Sequence, residues 1–321
     1  MTHEEGSGAV LPERIRRWIE EQAGPGAAIL SAQELVGGTS ATLHAVSLRV
    51  GGDVQELVIR QFDRLDWLRL EPDLARHEAA ALAWAARTGV PTPRLIAYEE
   101  RAEVCGVPLV LMSRLPGAVN LRPADLSGWL DAQAAALAQI HRTDPGGLDW
   151  ADLDWADLAW EHFSYSDPAS QTPPRWSGVP DAWERALHLV RGPRPAYTPR
   201  FIHRDYHPAN VLWQGGRLSG VVDWVNACRG PAGADVGHCR VNLAQLFGTL
   251  AADEFLSAYR RQAGMAFEYE PFWDILSLTD ILTDELAVYA GWWAFGVRDL
   301  SGPLIGERLD AYLLSLLERT A

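Results

Sequence analysis

The sequence predicts an α+β protein of two lobes: a small N-terminal lobe with an antiparallel sheet and an inserted helix, and a larger, mainly helical C-terminal lobe. Two observations carry this reading. The chain has 321 residues, more than a single core usually organises. Short alternating runs punctuated by glycine turns fill residues 28–112, whereas helical periodicity dominates beyond residue 118. The expected division is 1–115 and 116–321, with a hinge at Ser113-Arg114-Leu115-Pro116-Gly117.

In the first lobe, residues 11–22 read as an amphipathic helix with Pro12 near its first turn and Ile15, Trp18 and Ile19 on one face. Strands are expected at 28–36, 42–50 and 56–62, the last two joined by a Gly51-Gly52-Asp53 hairpin. Gly37 and Gly38, followed by Thr39 and Ser40, sit between two of these strands. A glycine pair there lets backbone amides approach a phosphate, although hairpins use glycine in any case. Arg60 falls inside the third strand among apolar residues, and a cation so placed either faces outward or needs a partner. Glu78, on the alanine-rich helix expected at 74–88, is the partner on offer. Strands at 94–98 and 107–112 complete a lobe of about five strands.

In the second lobe, helices are expected at 129–140, 181–190, 236–250, 253–262, 272–296 and 306–319. His141 reads as a core or helix-end histidine. The acidic stretch 148–163 carries Trp150, Trp155 and Trp160, which suit packing or a flat ligand.

One stretch interrupts these helices, residues 201–235 (FIHRDYHPANVLWQGGRLSGVVDWVNACRGPAGAD). It reads as a short strand, a polar loop, and a hairpin whose arms are 211–213 and 218–222 around Gly215-Gly216. Asp205 and Asn210 lie on the loop entering the hairpin and Asp223 leaves it, so the fold-back returns Asp223 towards Asn210. Three oxygen-bearing side chains at one mouth can hold a hard divalent cation and leave a carboxylate to handle a proton.

Composition narrows the partners. A formal net charge of −14 argues against nucleic acid and is compatible with a cationic small molecule. No apolar run approaches membrane-spanning length, and acids stand at the N-terminus where a signal peptide carries bases, so a soluble cytoplasmic protein with no membrane partner is expected. The three cysteines, Cys105, Cys228 and Cys239, have no paired-ligand spacing and suit a reducing compartment. The chain has no lysine, so arginine does every basic job. A zinc site from His203, His207, Cys228, His238 and Cys239 lacks any framing motif, which leaves these residues as scaffolding, with Asp235 as a helix N-cap or a brace for the loop.

The motif His203-Arg204-Asp205-Tyr206-His207-Pro208-Ala209-Asn210, an H-x-D-x-x-x-x-N signature, is followed by Val221-Val222-Asp223-Trp224. With the Gly37-Gly38 turn, a basic residue in the third strand, Glu78 in the next helix and the LVLMSRLPG segment at 109–117, this set resembles the aminoglycoside phosphotransferase and choline kinase group, which has a protein-kinase-like fold. The resemblance implies a bilobal kinase with a nucleotide cleft between its lobes. Asp205 would be the catalytic base, and Asn210 and Asp223 would hold Mg2+ on the phosphates of ATP or GTP. Gly37, Gly38, Ser40, Arg60 and Glu78 would serve the phosphates, and the backbone of Met112, Ser113, Arg114 and Leu115 the base. His203 would brace the loop. Arg60 departs from the family, which often has lysine there; arginine keeps the charge with a different fork geometry.

The acceptor is expected to be a small hydroxyl compound. Aminoglycosides, macrolides and metabolites such as choline- or homoserine-like alcohols all fit, and a catalytically silent nucleotide-binding protein is the alternative. Asp280, Asp284 and Glu285 could bind ammonium groups, and Trp292 or Trp293 could stack on a cation or ring. A solvated acidic helix face explains the same acids.

Overall fold

The computed structural model describes residues 11–35, 41–143, 167–283 and 285–320. The chain forms two compact units, one of residues 1–86 and 92–115, the other of 87–91 and 116–321. Gly37, Gly38, Ser40, Asp284 and the tryptophans of 148–163 lie outside the described residues.

The first unit is a five-stranded antiparallel sheet in the order β1-β2-β3-β5-β4, formed by β1 (Ala28–Glu34), β2 (Thr42–Val50), β3 (Asp53–Gln61), β4 (Leu95–Glu99) and β5 (Leu109–Ser113). Helix α1 (Glu13–Ala23) buries Ile15, Trp18 and Ile19 in one core cluster with Val46, Leu48, Leu57, Ile59, Leu109 and Leu111. Because side chains alternate along a strand, Val58 and Arg60 point to the opposite face. Their cross-strand partners there are Met112 and Val110. Helix α3 (Leu74–Ala85) is predominantly apolar and carries the buried Glu78. A short, mostly exposed helix, α2 (Leu65–Leu70), has too little apolar periodicity to be read from sequence.

The second unit is mainly helical: α4 (Leu126–His141), α5 (Pro180–Val190), α6 (Ala232–Phe247), α7 (Thr249–Ala263), α8 (Pro271–Asp280), α9 (Ala290–Ala294) and α10 (Gly302–Glu318). Two small sheets accompany them: β6 (Ala118–Val119) with the hairpin β8 (Val211–Gln214) and β9 (Arg217–Val221), and the antiparallel pair β7 (Pro199–Ile202) and β10 (Cys228–Pro231).

Helix α6 is the axis of this unit. Gly233 and Gly237, one turn apart, let α8 approach: a Cβ at Gly237 would lie 2.6 Å from the Trp273 carbonyl oxygen, and one at Gly233 would overlap the Trp273 ring. The same side of the helix carries Arg240, whose side chain is fully buried. Its guanidinium bonds Asp274 on α8 at 2.7 Å, Asp253 on α7 at 2.7 Å, the Tyr269 hydroxyl at 2.9 Å and the Ala252 carbonyl at 3.0 Å. Tyr312 on α10 donates to Asp274 at 2.7 Å. One cation thus ties α6, α7, α8 and α10 together.

The single helix expected over 272–296 is instead two helices, because α8 stops at Asp280. The carbonyls that would continue it are taken by side chains distant in sequence: Gln171 donates to Thr279 O at 2.8 Å and the Trp176 indole to Thr283 O at 3.1 Å. No local pattern announces these partners.

Removing the Arg240 cation would leave Asp274 buried without its countercharge, a change that typically costs about 3–5 kcal/mol. Arg240→Met should lower unfolding stability in urea by that order. The double variant Arg240→Met/Asp274→Leu should recover part of the loss.

Candidate active site

The loop from His203 to Asn210 leaves β7 and enters β8 through a single 3-10 turn, Pro208–Asn210. Its start is held by Asp235, a fully buried carboxylate in the first turn of α6. Asp235 accepts from the amide of His203 at 2.8 Å and from that of Arg204 at 2.6 Å, and bonds His141 Nε2 at 2.9 Å. His141 in turn contacts the Tyr259 hydroxyl at 2.7 Å, so it is the satisfied core histidine expected from sequence. Asp235 is a brace inside the helix, not its N-cap, which is Pro231. Arg204 adopts φ 66°, a left-handed conformation unfavourable for a non-glycine residue, and the two charge-assisted bonds beside it help hold it there.

His203 is fully buried; its Nε2 lies 2.9 Å from the Val222 carbonyl, and its ring packs on Trp224 with centroids 4.6 Å apart. It bridges the loop to the segment carrying Asp223. The hairpin closes as expected: Val211 pairs with Val221, and the Val222 amide donates to the Asn210 carbonyl at 3.0 Å. Asn210 thereby lies opposite Val222, the residue before Asp223. Asp223 itself is left-handed, φ 66° and ψ 59°.

Asp205 is half-buried. Its Oδ2 accepts from Asn210 Nδ2 at 3.2 Å, and the same nitrogen reaches its backbone carbonyl at 2.9 Å. Its Oδ1 faces two imidazoles, His238 Nε2 at 3.1 Å and His207 Nε2 at 3.8 Å. Burial pushes this carboxyl up, but His207, His238 and His203 outweigh it and hold it well below the usual carboxylate range. Both histidines were read as scaffolding from sequence; the structure puts them against the candidate base. The available signal was spacing, since His238 is three residues beyond Asp235 and therefore on the same side of the helix.

The oxygen set suits a hard cation. The Asn210 amide nitrogen is committed to Asp205, which leaves its carbonyl oxygen as the end available for a ligand, and Asp223, one residue past the Val222 that bonds Asn210, is a half-buried carboxylate. Among the described residues no cluster of three or more His, Cys, Asp or Glu is arranged for a metal, so an ion here would complete its shell with phosphate oxygens and water.

In the first unit, Arg60 Nη1 lies 3.1 Å from Glu78 Oε1, and both side chains are at most 5% exposed. The ion pair read from sequence is present. Met112 is buried in the sheet, opposite Val58 and Leu95. The amides of Ser113 and Arg114 donate to Arg94 O and Glu56 O, both at 2.9 Å, so these two cannot be the donors to a nucleotide base. The carbonyls of this segment and the amide of the half-buried Leu115 are the backbone groups left for that task.

The expected acceptor residues fare unevenly. Trp292 is 1% exposed and packs edge-on against Tyr289, so it is core and cannot stack on a ligand. Asp280 is half-buried at the end of α8, Glu285 is exposed, and Trp293 is 54% exposed. Cys105, Cys228 and Cys239 are free and buried, and burial pushes the thiols of Cys228 and Cys239 up.

A profile of the phosphotransferase enzyme family matches residues 34–272, which include Arg60, Glu78 and the whole Asp205–Asn210–Asp223 constellation. The chain belongs to this phosphotransferase family. A homoserine kinase from Rhodopseudomonas palustris (strain BisB5) is 28% identical over 213 residues. That match spans 62% of this chain and 62% of the relative, less than two thirds of either. Solved structures align over nearly the full length. A provisionally assigned aminoglycoside phosphotransferase from Ralstonia eutropha JMP134 gives a TM-score of 0.60 at 16% identity, covering 96% of this chain and 98% of that one. The macrolide 2'-phosphotransferase MphH from Brachybacterium faecium gives 0.53 at 18%, covering 94% and 98%. A thermostable mutant of aminoglycoside phosphotransferase APH(4)-Ia, in ternary complex with AMP-PNP and hygromycin B, gives 0.57 at 18%, covering 95% and 99%. At these identities the likeness establishes the kinase-like fold of the phosphotransferase family, as the motifs implied. No helix among the described residues is long and apolar enough to cross a membrane.

Burial lowers the His207 imidazole to about 4, against the pull of Asp205. An unfolded histidine titrates near ~6.5. Between these values the unfolded chain binds the extra proton, so stability rises with pH through that window and is lost as pH falls. The melting temperature should drop more steeply from pH 7 to pH 4 in wild type than in His207→Asn.

Proposed function

We propose that the protein is a Mg2+-dependent kinase that transfers the γ-phosphoryl group of ATP or GTP to the hydroxyl of a small molecule. The observation that supports it best is the Asp205 carboxylate, oriented at both oxygens, on a loop whose Asn210 pairs by its backbone with the residue before Asp223. The attacking hydroxyl oxygen forms a bond to the γ-phosphorus, the bond from phosphorus to the β–γ bridging oxygen breaks, and the nucleoside diphosphate leaves with that electron pair. The hydroxyl proton goes to Asp205. Asp205 first orients the hydroxyl as a hydrogen-bond acceptor and takes the proton late, once the oxygen–phosphorus bond has made the hydroxyl acidic.

Asn210 and Asp223 would hold Mg2+, which when bound neutralises phosphate charge. Arg60, kept in place by Glu78, would contact phosphate oxygens; its permanent charge and planar fork suit that task. Asp205 positions the acceptor, so most of the catalysis this chain supplies is orientation and electrostatics.

For the acceptor, the homoserine kinase relative supports a small amino alcohol. The fold likeness to aminoglycoside and macrolide phosphotransferases supports only a small-molecule hydroxyl, since fold and substrate are separable. Asp280, Glu285 and the exposed Trp293 are the remaining candidates for a cationic acceptor group. A catalytically silent nucleotide-binding protein is the competing reading, and the retention of Asp205, Asn210 and Asp223 together weighs against it.

Nucleotide consumption measured with Mg2+ and a panel of amino alcohols, aminoglycosides and macrolides, followed by mass analysis of products, tests this directly. Asp205→Ala should lower kcat by about 10²–10⁴-fold. Asn210→Ala and Asp223→Ala should raise the Mg2+ concentration needed for half-maximal rate. Phosphorylated product formed equally by wild type and Asp205→Ala would overturn the reading. Asp280→Asn should raise KM for a cationic acceptor and leave KM for ATP unchanged.

A further inference from the structure

We infer that His238 is a positioning residue for phosphoryl transfer: its Nε2–H holds Oδ1 of Asp205 so that the carboxylate presents a fixed lone pair to the acceptor hydroxyl. The inference rests on the reading of Asp205 as the catalytic carboxylate. An aspartate carboxyl turns broadly about its last torsion, so one hydrogen bond does not set its plane. Asn210 Nδ2 secures Oδ2 at 3.2 Å. The second hold comes from His238 Nε2, 3.1 Å from Oδ1. An ionised carboxylate has about four lone-pair sites. These two bonds occupy one on each oxygen and leave the others for the incoming hydroxyl.

His207 does not duplicate this hold. Its Nδ1 accepts from the Ala209 amide at 3.4 Å, which places the ring proton on Nε2, but that nitrogen stops 3.8 Å from Oδ1, beyond hydrogen-bond range. His207 and His238 stand edge to face with centroids 5.8 Å apart, so His207 walls the site and limits how far the His238 ring can swing.

The placement of His238 follows from α6. Asp235, one turn earlier, pins the amides of His203 and Arg204, which sets the separation of helix and loop at that end. Gly233 and Gly237 press the other side of the helix against α8, so α6 has little room to slide. His238 is thus delivered to Oδ1 by a helix whose position is fixed independently of the acceptor. The proposal assigns to this ring the orientation of the base and no part in binding nucleotide.

The test compares His238→Leu, His238→Gln and Asp205→Ala with wild type. Turnover of MgATP is measured with L-homoserine and with water as acceptors, alongside thermal melts. His238→Leu should lower kcat about ten- to a hundredfold, the effect of one hydrogen bond to a charged group, with KM for ATP unchanged. His238→Gln, which keeps a terminal N–H donor, should recover most of that loss. Wild-type kcat in His238→Leu, or no recovery in an equally stable His238→Gln, would sink the proposal while an inactive Asp205→Ala still upheld the kinase reading. An active Asp205→Ala would sink the kinase reading instead. Long-range 1H–15N NMR of the imidazoles needs neither acceptor nor turnover. The protonated Nε2 of His238 should shift between wild type and Asp205→Asn, and an unmoved signal overturns the contact.

Discussion

The fully buried carboxylate of Asp235 is the contact on which the second unit's chemistry depends. A buried charge is tolerated only where its lone pairs are satisfied, and this one has two backbone amides and an imidazole nitrogen at 2.6–2.9 Å. The amides belong to His203 and Arg204, so the charge sets the conformation of the loop one and two residues before Asp205. The left-handed backbone at Arg204 persists in that setting. Loss of the carboxylate would leave two buried donors and a histidine without their acceptor, and the site would loosen from its foundation.

That foundation is itself anchored away from the site. Helix α6 presents Asp235 and His238 on one side and Gly233, Gly237 and Arg240 on the other. The glycines allow close approach of α8, and Arg240 binds Asp274, Asp253 and Tyr269 on the neighbouring segments. A buried ion pair adds little net stability compared with a well-packed apolar core, yet it is demanding about geometry. Here that geometry determines where a helix stands, and the helix determines where two side chains meet the loop.

The electrostatics around Asp205 favour orientation over basicity. Three imidazoles hold its carboxyl well below the usual carboxylate range, which makes it a poor resting base and a stable hydrogen-bond acceptor. The proposed phosphoryl transfer would tolerate this, since a hydroxyl becomes acidic only as it bonds to phosphorus. In the first unit the corresponding economy is Arg60, buried against Glu78 in a chain without lysine. Arginine stays charged at that depth where an amine would be prone to lose its proton, so the substitution preserves a cation in the sheet.

Local pattern determined much of this protein. The strands of the first unit with its helices α1 and α3, the hairpin that returns Asp223 to Asn210, the Arg60–Glu78 pair and the braces His203 and Asp235 were all legible in the sequence. Each depends on periodicity, on turn residues, or on charged groups that need a partner. The family was legible too, because its motif spans only eight consecutive residues. Tertiary structure decided what lies far apart along the chain. Trp292 looked like a stacking surface and is core. The expected helix over 272–296 ends early because Gln171 and Trp176 take carbonyls of Thr279 and Thr283. His238 meets Asp205 although 33 residues separate them. Periodicity encodes which side of an element is buried, but it does not encode which distant side chain arrives there. The packing of α6 against α8 makes that choice, and with it the orientation of the carboxylate.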